Sequence, residues 1–362
     1  MQTSWPATPG RPPTPPRIQA RLTGRRTSPL SAETTKTLLA GFDAVLADLD
    51  GVVYAGPNAI PGAIEALTGL AGANVKLGYV TNNASRTPAH VAAHLRELGA
   101  PAEEGQVVSS AQAGAALLAE RFPAGSKVLV VGSAALVREI ELVGMTSVDS
   151  AKATPDVVIQ GFEPSLGWED LAEAAFAIHG GAAWIATNTD LTIPREQGIA
   201  PGNGTLVAAV RAAVDRDPLV AGKPQAPLFH TAARRLGADR PLVVGDRLDT
   251  DILGGNNAGM ATALVLTGVD SVESALKAKS AERPRFIIDT LKDFYQPYPE
   301  VARDDGRVTC GAAAAAVADG VVTVAGDRDD LNAWRAACAV WWAAVPESDT
   351  VTDPQLVWKK PE

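Results

Sequence analysis

Acidic side chains cluster at two places in this sequence, each time directly after a short apolar run. Asp48 and Asp50 form the first cluster, and Asp246 and Asp251 belong to the second. Because side chains alternate along a strand, Asp48 and Asp50 can face the same way. Clustered carboxylates repel one another, and a bound cation relieves that cost. Hard oxygen ligands of this kind suit Mg2+. Taken alone, the first cluster is explained equally well by a structural loop, and a helix cap is an alternative explanation for the second.

Two further polar groups stand between predicted strands and helices. Thr81, Asn82 and Asn83 occupy a turn whose backbone N–H groups can bind an anion, although an ordinary helix N-cap also explains them. Lys223 stands before a predicted helix, where a positive charge opposes the helix dipole. Unless Lys223 is simply a surface residue, it should therefore have an anionic partner.

Alternating strands and helices must position these groups. The apolar pattern predicts buried strands at 43–49, 75–81, 242–245 and 262–266, and helices at 61–70, 87–98, 225–236 and 250–258. This alternation predicts an α/β fold with a doubly wound parallel sheet. Ligand sites in such sheets lie at the carboxyl ends of the strands. We therefore expect the four polar groups to meet at one edge, each at the end of a strand of that sheet.

The chain divides into four parts. The predicted parts are a basic, proline-rich disordered tail at 1–38, a core at 39–121 and 218–296, an inserted α/β cap at 122–217 and a C-terminal α+β module at 297–362. Trp168 and Trp184 are expected in the interior of the cap. The module should contain β-strands within 307–325 and a helix with an apolar face. It is either a separate unit or a decoration packed on the core.

The composition narrows the class of protein. With 41 acidic against 32 basic residues, the formal net charge is −9, which disfavours binding to nucleic acid through its phosphates. Two cysteines exclude a disulfide scaffold. The sequence contains neither an apolar run of membrane-spanning length nor the apolar segment of a secretory signal. We therefore expect a cytoplasmic protein that binds neither nucleic acid nor membrane.

The complete series of motifs resembles the haloacid dehalogenase superfamily of phosphatases, over residues 41–293. The inserted unit lies between the second and third motifs, as in the branch with a large α/β cap. This resemblance implies a Mg2+-dependent hydrolase of a small phosphomonoester, and within the branch it favours glycerol 3-phosphate as substrate. Phosphoglycolate and pyridoxal phosphate are alternative substrates. A phosphomutase and a catalytically inactive metal-binding regulatory module are alternative functions.

The resemblance also implies a role for each residue of the core motifs. Asp48 would be the nucleophile and Asp50 the general acid and base. Mg2+ would be bound by the carboxylates of Asp48 and Asp246 and the carbonyl oxygen of Asp50, and Asp251 would orient water or Lys223. The residues expected to hold the phosphoryl oxygens are Thr81, Asn82, Asn83 and Lys223.

Substrate choice is expected to lie in the cap, since the core recognises only the phosphoryl group. Residues 191–198 resemble the family's substrate-specificity loop. The candidates for contact with the leaving group are Asn188, Thr192, Ile193, Arg195 and Glu196. The loop contains no residue suited to stacking on a pyridine ring, which favours a small polyol or hydroxy acid. A homo-oligomer formed through the cap or the C-terminal module is also possible.

Overall fold

The computed structural model describes residues 36–195, 197–304 and 306–360. The predicted tail at 1–38 therefore falls almost entirely outside the described residues. Its last residue, Leu38, is buried and begins a short 3-10 helix, Leu38–Gly41. Among the helices of the described ranges, none is long and apolar enough to cross a membrane.

Helices and strands alternate along most of the described chain. The α-helices are α1 (Ala63–Gly69), α2 (Pro88–Glu97), α3 (Ser110–Arg121), α4 (Ala134–Leu142), α5 (Trp168–His179), α6 (Asn203–Val214), α7 (Pro227–Leu236), α8 (Leu253–Asn257), α9 (Val272–Lys277) and α10 (Leu331–Ala344). The strands are β1 (Ala44–Ala47), β2 (Tyr54–Ala55), β3 (Asn58–Ala59), β4 (Lys76–Thr81), β5 (Val107–Ser109), β6 (Lys127–Val131), β7 (Thr146–Val148), β8 (Val157–Gln160), β9 (Ala183–Ala186), β10 (Thr192–Arg195), β11 (Gly198–Pro201), β12 (Leu219–Val220), β13 (Pro241–Gly245), β14 (Ala261–Val265), β15 (Phe286–Ile288), β16 (Val301–Asp304), β17 (Arg307–Cys310), β18 (Ala313–Ala318), β19 (Val321–Ala325) and β20 (Gln355–Lys359).

The first sheet is parallel and has the order β15-β14-β13-β1-β4-β5, which confirms the predicted doubly wound core. All four residues of β1 are fully buried, as expected for a central strand that is covered on both faces. Val45 packs on one face with residues of α1 and α2, and Leu46 packs on the other with residues of α3 and α7. The two acidic clusters thus follow neighbouring strands, β1 and β13.

The second sheet is also parallel, with the order β12-β9-β8-β6-β7. It includes β12, at Leu219–Val220, which the sequence had placed in the core. Trp184 is buried in this unit as predicted, but Trp168 is 78% exposed, and its prediction was wrong. The physical reason is its place at the start of α5, because the residues that this helix buries belong to its later turns: Ala174, Ala175, Ala177 and Ile178.

The C-terminal module packs on the core and shares a hydrophobic cluster with it. Its sheet has the order β16-β17-β18-β19-β20, so strands on both sides of the predicted β-rich segment join it. Leu248 and Ile252, next to the second acidic cluster, belong to the same cluster as Trp334 and Trp341 of α10. The indole N–H of Trp342 donates to the carbonyl groups of Ala275 and Leu276 at 3.2 and 3.3 Å.

We expect Trp342→Ala to lower the free energy of unfolding by about 2 to 4 kcal/mol, because it removes ring contacts and a hydrogen-bonded donor between the module and α9. Urea denaturation followed by far-UV circular dichroism measures the change. Leu142→Ala, at a 68% exposed position of α4, is the matched control, since an exposed apolar side chain should change stability by less than about 0.5 kcal/mol. Equal losses in the two variants would contradict a supporting role for Trp342.

Candidate active site

The two acidic clusters and the Thr81 turn meet at the carboxyl edge of the first sheet. Asp48 extends β1 and its backbone N–H donates to Val244 of β13 at 2.9 Å. Asp246 directly follows β13, and Thr81 is the last residue of β4. Because β13, β1 and β4 are adjacent and parallel, their ends bring these side chains to one edge.

Lys223 reaches this edge from the second sheet. It follows β12, which pairs with β9, so the expectation that all four motifs end strands of a single sheet was wrong for Lys223. The chain passes from the cap into the core at this point, and α7 begins only at Pro227. The lysine is therefore held where the two units join, not by the first turn of a helix.

The amino group of Lys223 lies between two buried carboxylates. Its Nζ is 2.5 Å from Oδ1 of Asp48 and 2.6 Å from Oδ1 of Asp251. These are the anionic partners that its place in the sequence required. Burial disfavours the charged lysine, but the nearby Asp251 and Asp48 outweigh it and raise the pKa of Lys223. For Asp48, desolvation is the largest influence and raises its pKa in spite of Lys223.

Asp246 faces the same space and has an unsatisfied oxygen. Its Oδ2 accepts the backbone N–H of Val269 at 2.8 Å, whereas its buried Oδ1 has no hydrogen-bond partner among the described residues. A Cβ atom at Gly51 or Gly268 would collide with this carboxylate, so two glycines let the backbone enclose it. Burial, and then the charge of Asp251, raises the pKa of Asp246 to about 6.

The donor set fits a hard divalent cation. One carboxylate oxygen from each of Asp48, Asp246 and Asp251 lies within 4.8 Å of the others. Both oxygens of Asp251 are already used, one by Lys223 and the other by the backbone N–H of Arg247 at 3.2 Å. Burial, partly offset by Lys223, raises the pKa of Asp251 to about 7. The unsatisfied oxygen of Asp246 leaves that residue, together with Asp48, better placed to bind a cation than Asp251.

Asp50 has different surroundings from Asp48. Its side chain reaches solvent, yet desolvation by the site raises its pKa against the attraction of Lys223 and Arg86. The chain turns back after it, where the Gly51 N–H donates to the carbonyl of Tyr54 at 2.9 Å, and the Tyr54 hydroxyl interacts with the Asp50 carboxylate. The sequence analysis did not single out Tyr54. Its only signal was a place just after the Asp-x-Asp motif.

The three residues of the second motif have different partners. Oγ1 of the buried Thr81 accepts the Asn83 backbone N–H at 3.1 Å. The Asn83 side chain accepts from the backbone and hydroxyl of Ser85, both at 2.8 Å. Asn82 instead uses its side chain to bind the backbone of Lys223. Within this motif, Thr81 and the backbone N–H groups are thus better placed than the two amide side chains to meet a phosphoryl group.

The described cap residues predicted to contact the leaving group lie in two different parts of the cap, one beside Asn82 and the other in a hairpin. Asn188 is buried and donates to the carbonyl of Asn82 at 2.7 Å, so its amide already has a protein partner. Thr192, Ile193 and Arg195 lie on β10, which forms a two-stranded hairpin with β11. Glu196 is outside the described residues. Asp190, which the sequence analysis did not select, lies beside Asn188 and contacts Asn82.

A parallel α/β core that brings carboxylates, a lysine and a hydroxyl to its strand ends, with a second α/β unit inserted into the chain, defines a capped hydrolase of phosphate esters. Family models agree with this class on both sides of the insertion. A model of haloacid dehalogenase-like hydrolases matches residues 45–146, and a HAD-hydrolase-like model matches residues 220–294. The chain belongs to the haloacid dehalogenase-like hydrolases.

Individual relatives extend the likeness over most of the chain. D-glycerol 3-phosphate phosphatase of Mycobacterium tuberculosis is 44% identical over 302 residues, which are 82% of this chain and 83% of that protein. The 5'-nucleotidase YutF of Bacillus subtilis is 38% identical over 259 residues, 71% of this chain and 98% of that protein. A crystal structure of glycerol phosphate phosphatase from M. tuberculosis in complex with magnesium superposes with a TM-score of 0.80 at 42% identity, covering 90% of this chain and 96% of that one.

We expect the affinity for Mg2+ to weaken as the pH falls from 8 to 5.5. The raised pKa values of Asp246 and Asp251 mean that the metal-free site keeps protons which the cation must displace. Each displaced proton reduces the apparent affinity by up to about tenfold per pH unit below its pKa. Isothermal titration calorimetry in buffers of different ionisation enthalpy would detect the released protons. An affinity that does not change over this range, without proton release, would contradict the assignment.

Proposed function

We propose that this chain is a Mg2+-dependent phosphatase that hydrolyses glycerol 3-phosphate to glycerol and phosphate. The observation that carries the proposal is the buried carboxylate of Asp48, held by Lys223 beside the unsatisfied Asp246. Relatives named for this reaction support glycerol 3-phosphate as the substrate, since one of them is 44% identical to this chain over 302 residues. The phosphomonoester chemistry follows from the site, and the choice of glycerol rests on the relatives and the cap.

In the first step, an oxygen of Asp48 attacks phosphorus and forms an acyl phosphate while the bond from phosphorus to the leaving oxygen breaks. Asp50, whose raised pKa favours the protonated form, gives its proton to the departing alkoxide. The products of this step are the free alcohol, an aspartyl phosphate at Asp48 and an ionised Asp50.

In the second step, Asp50 accepts a proton from water as that water attacks the phosphorus of the acyl phosphate. The bond between phosphorus and Asp48 breaks, inorganic phosphate leaves, and both carboxyl groups return to their starting states. Asp50 is thus the acid of the first step and the base of the second. Its access to solvent suits this exchange of protons with water.

The remaining residues bind and orient. Asp48, Asp246 and the carbonyl of Asp50 would hold Mg2+, which supplies positive charge to the transferring phosphoryl group when bound. Lys223 offers the phosphoryl oxygens a cation fixed between two carboxylates. The hydroxyl of Thr81 and the backbone N–H groups of its turn add donors on another side. Asp251 keeps Lys223 charged and in place.

We expect Asp48→Asn to reduce phosphate release from glycerol 3-phosphate by at least about a thousandfold, because an amide cannot form the acyl phosphate. A malachite green assay measures the loss. Asp149→Asn, an exposed aspartate of the cap, is the matched control and should keep full activity. Circular dichroism checks that both variants are folded. Turnover by folded Asp48→Asn above a hundredth of the wild-type rate would refute its role as nucleophile.

A comparison of substrates tests the assignment to glycerol 3-phosphate. We expect its kcat/KM to exceed those of phosphoglycolate, pyridoxal phosphate, a nucleoside monophosphate and a hexose phosphate by at least about tenfold, which is the discrimination that one or two polar contacts provide. A higher value for the nucleotide would assign a nucleotidase, in line with the Bacillus relative. If no ester is hydrolysed with Mg2+ present, the chain is not a phosphatase.

We also infer that the protein acts in the cytoplasm and that it forms a homo-oligomer through the cap or the C-terminal module. The exposed side chains of Trp168 and Phe176, two turns apart on α5, support a contact through the cap. Isolated exposed aromatic residues are common on monomers, but a pair on one helix face is more typical of an interface. Sedimentation of the full chain measures the oligomeric state.

A further inference from the structure

The side chain of Asn82 binds both main-chain polar groups of Lys223, its N–H and its carbonyl. Its Oδ1 accepts the Lys223 N–H at 2.8 Å, and its Nδ2 donates to the Lys223 carbonyl at 3.1 Å. Lys223 lies in neither a helix nor a strand, so these bonds replace regular secondary structure in fixing its backbone. The approach is close, because a Cβ atom at Gly222 would come within 2.5 Å of Asn82 Oδ1. The Asn82 side chain thus fixes the backbone from which the Lys223 side chain extends.

The cap holds the same asparagine. Asp190 Oδ1 accepts the second hydrogen of Asn82 Nδ2 at 2.9 Å, and Asn188 Nδ2 donates to the Asn82 carbonyl at 2.7 Å. The cap segment that makes these contacts is itself anchored to the start of α6. Asn203 Nδ2 donates to the Asn188 carbonyl at 2.7 Å, and the Gly204 N–H donates to the Asp190 carbonyl at 2.8 Å.

We propose that Asn82 and Asp190 form a latch through which the seated cap fixes Lys223, so that Asp190 is a positioning residue for phosphoryl transfer. The proposal rests on the proposed phosphatase function. Asp190 holds the Asn82 amide in the orientation that presents Oδ1 and Nδ2 to the lysine backbone. In turn, that backbone sets how the Lys223 amino group lies between Asp48 and Asp251.

The latch gives Asp190 a role that differs from substrate recognition. A residue that contacts the leaving group affects one substrate and spares others. A residue that acts through Lys223 affects every phosphate ester by the same factor, because all of them share the phosphoryl group. Displacing a catalytic group by about 1 Å can cost up to about a hundredfold in rate. The loss should fall mainly on kcat, since charge on the phosphoryl oxygens is stabilised most in the transition state, and to a smaller extent on the affinity for inorganic phosphate.

We expect Asp190→Ala to lower kcat by about 10- to 100-fold for glycerol 3-phosphate and for p-nitrophenyl phosphate alike. Asp190→Asn should retain most of the activity, because its amide oxygen can still accept from Asn82. Asp149→Ala, at an exposed cap position, is the matched control and should be unchanged. Thermal unfolding of each variant distinguishes a displaced lysine from a damaged fold.

A double-mutant cycle shows whether the effect passes through Lys223. With Mg2+ present, calorimetric titration with inorganic phosphate gives an affinity that needs no turnover. Asp190→Ala should weaken this affinity in the wild-type background and change it less than about twofold in a Lys223→Ala background. Equal weakening in both backgrounds would overturn the latch, as would a loss of activity confined to glycerol 3-phosphate.

The two levels of the proposal fail differently. If the wild-type chain hydrolyses neither ester with Mg2+ present, the proposed function is wrong. If the wild type is active and folded Asp190→Ala is equally active, the function stands and only the latch is refuted.

Discussion

A lysine buried between two carboxylates is the constraint on which the site depends. Removing a charged group from water costs several kcal/mol, and only close partners of opposite charge repay that cost. Lys223 has two such partners, Asp48 and Asp251, but Asp246 beside them adds a third negative charge. One lysine cannot balance three ionised carboxylates, so the site either keeps protons or takes up a cation. The raised pKa values of Asp246 and Asp251 show that the metal-free site tends to keep protons. Catalysis requires that a cation take their place.

Holding like charges this close requires rigid surroundings, and the chain provides them from distant positions. The loop after β14 wraps Asp246, where the Val269 N–H binds its carboxylate and the Asp270 N–H binds its backbone carbonyl at 3.0 Å. The helix that follows, α9, packs against α10 of the C-terminal module. Leu248 and Ile252, which flank the second acidic cluster, also pack in one hydrophobic cluster with residues of the module. The module therefore stabilises the segment that carries these acidic residues.

The sequence predicted the local pattern well and the partners between distant segments poorly. Apolar runs and motif spacing located the central strands and the acids at their ends, because both depend on neighbouring residues. The strand before Lys223 was assigned to the wrong sheet, since two residues such as Leu219–Val220 carry no signal of their partner. A role for Asn82 in binding phosphate stays a prediction, but the sequence did not reveal that its side chain contacts both Asp190 and the Lys223 backbone. Side-chain amide groups form hydrogen bonds with polar groups that the fold brings close to them, and the sequence alone does not show which groups those are.

An acidic enzyme that binds an anion must change the electrostatic potential from negative to positive within a short distance of the site. The whole chain has a net charge of −9, and salt screens that charge only beyond about 8 to 10 Å. Inside that distance, Lys223 and a bound cation must supply the attraction, and both act more strongly where water is excluded. A cap that excludes water and also fixes the lysine would link substrate enclosure to phosphate binding. The contacts of Asn82 with both units provide a physical route for that link, because the same amide that fixes the lysine backbone also meets the cap.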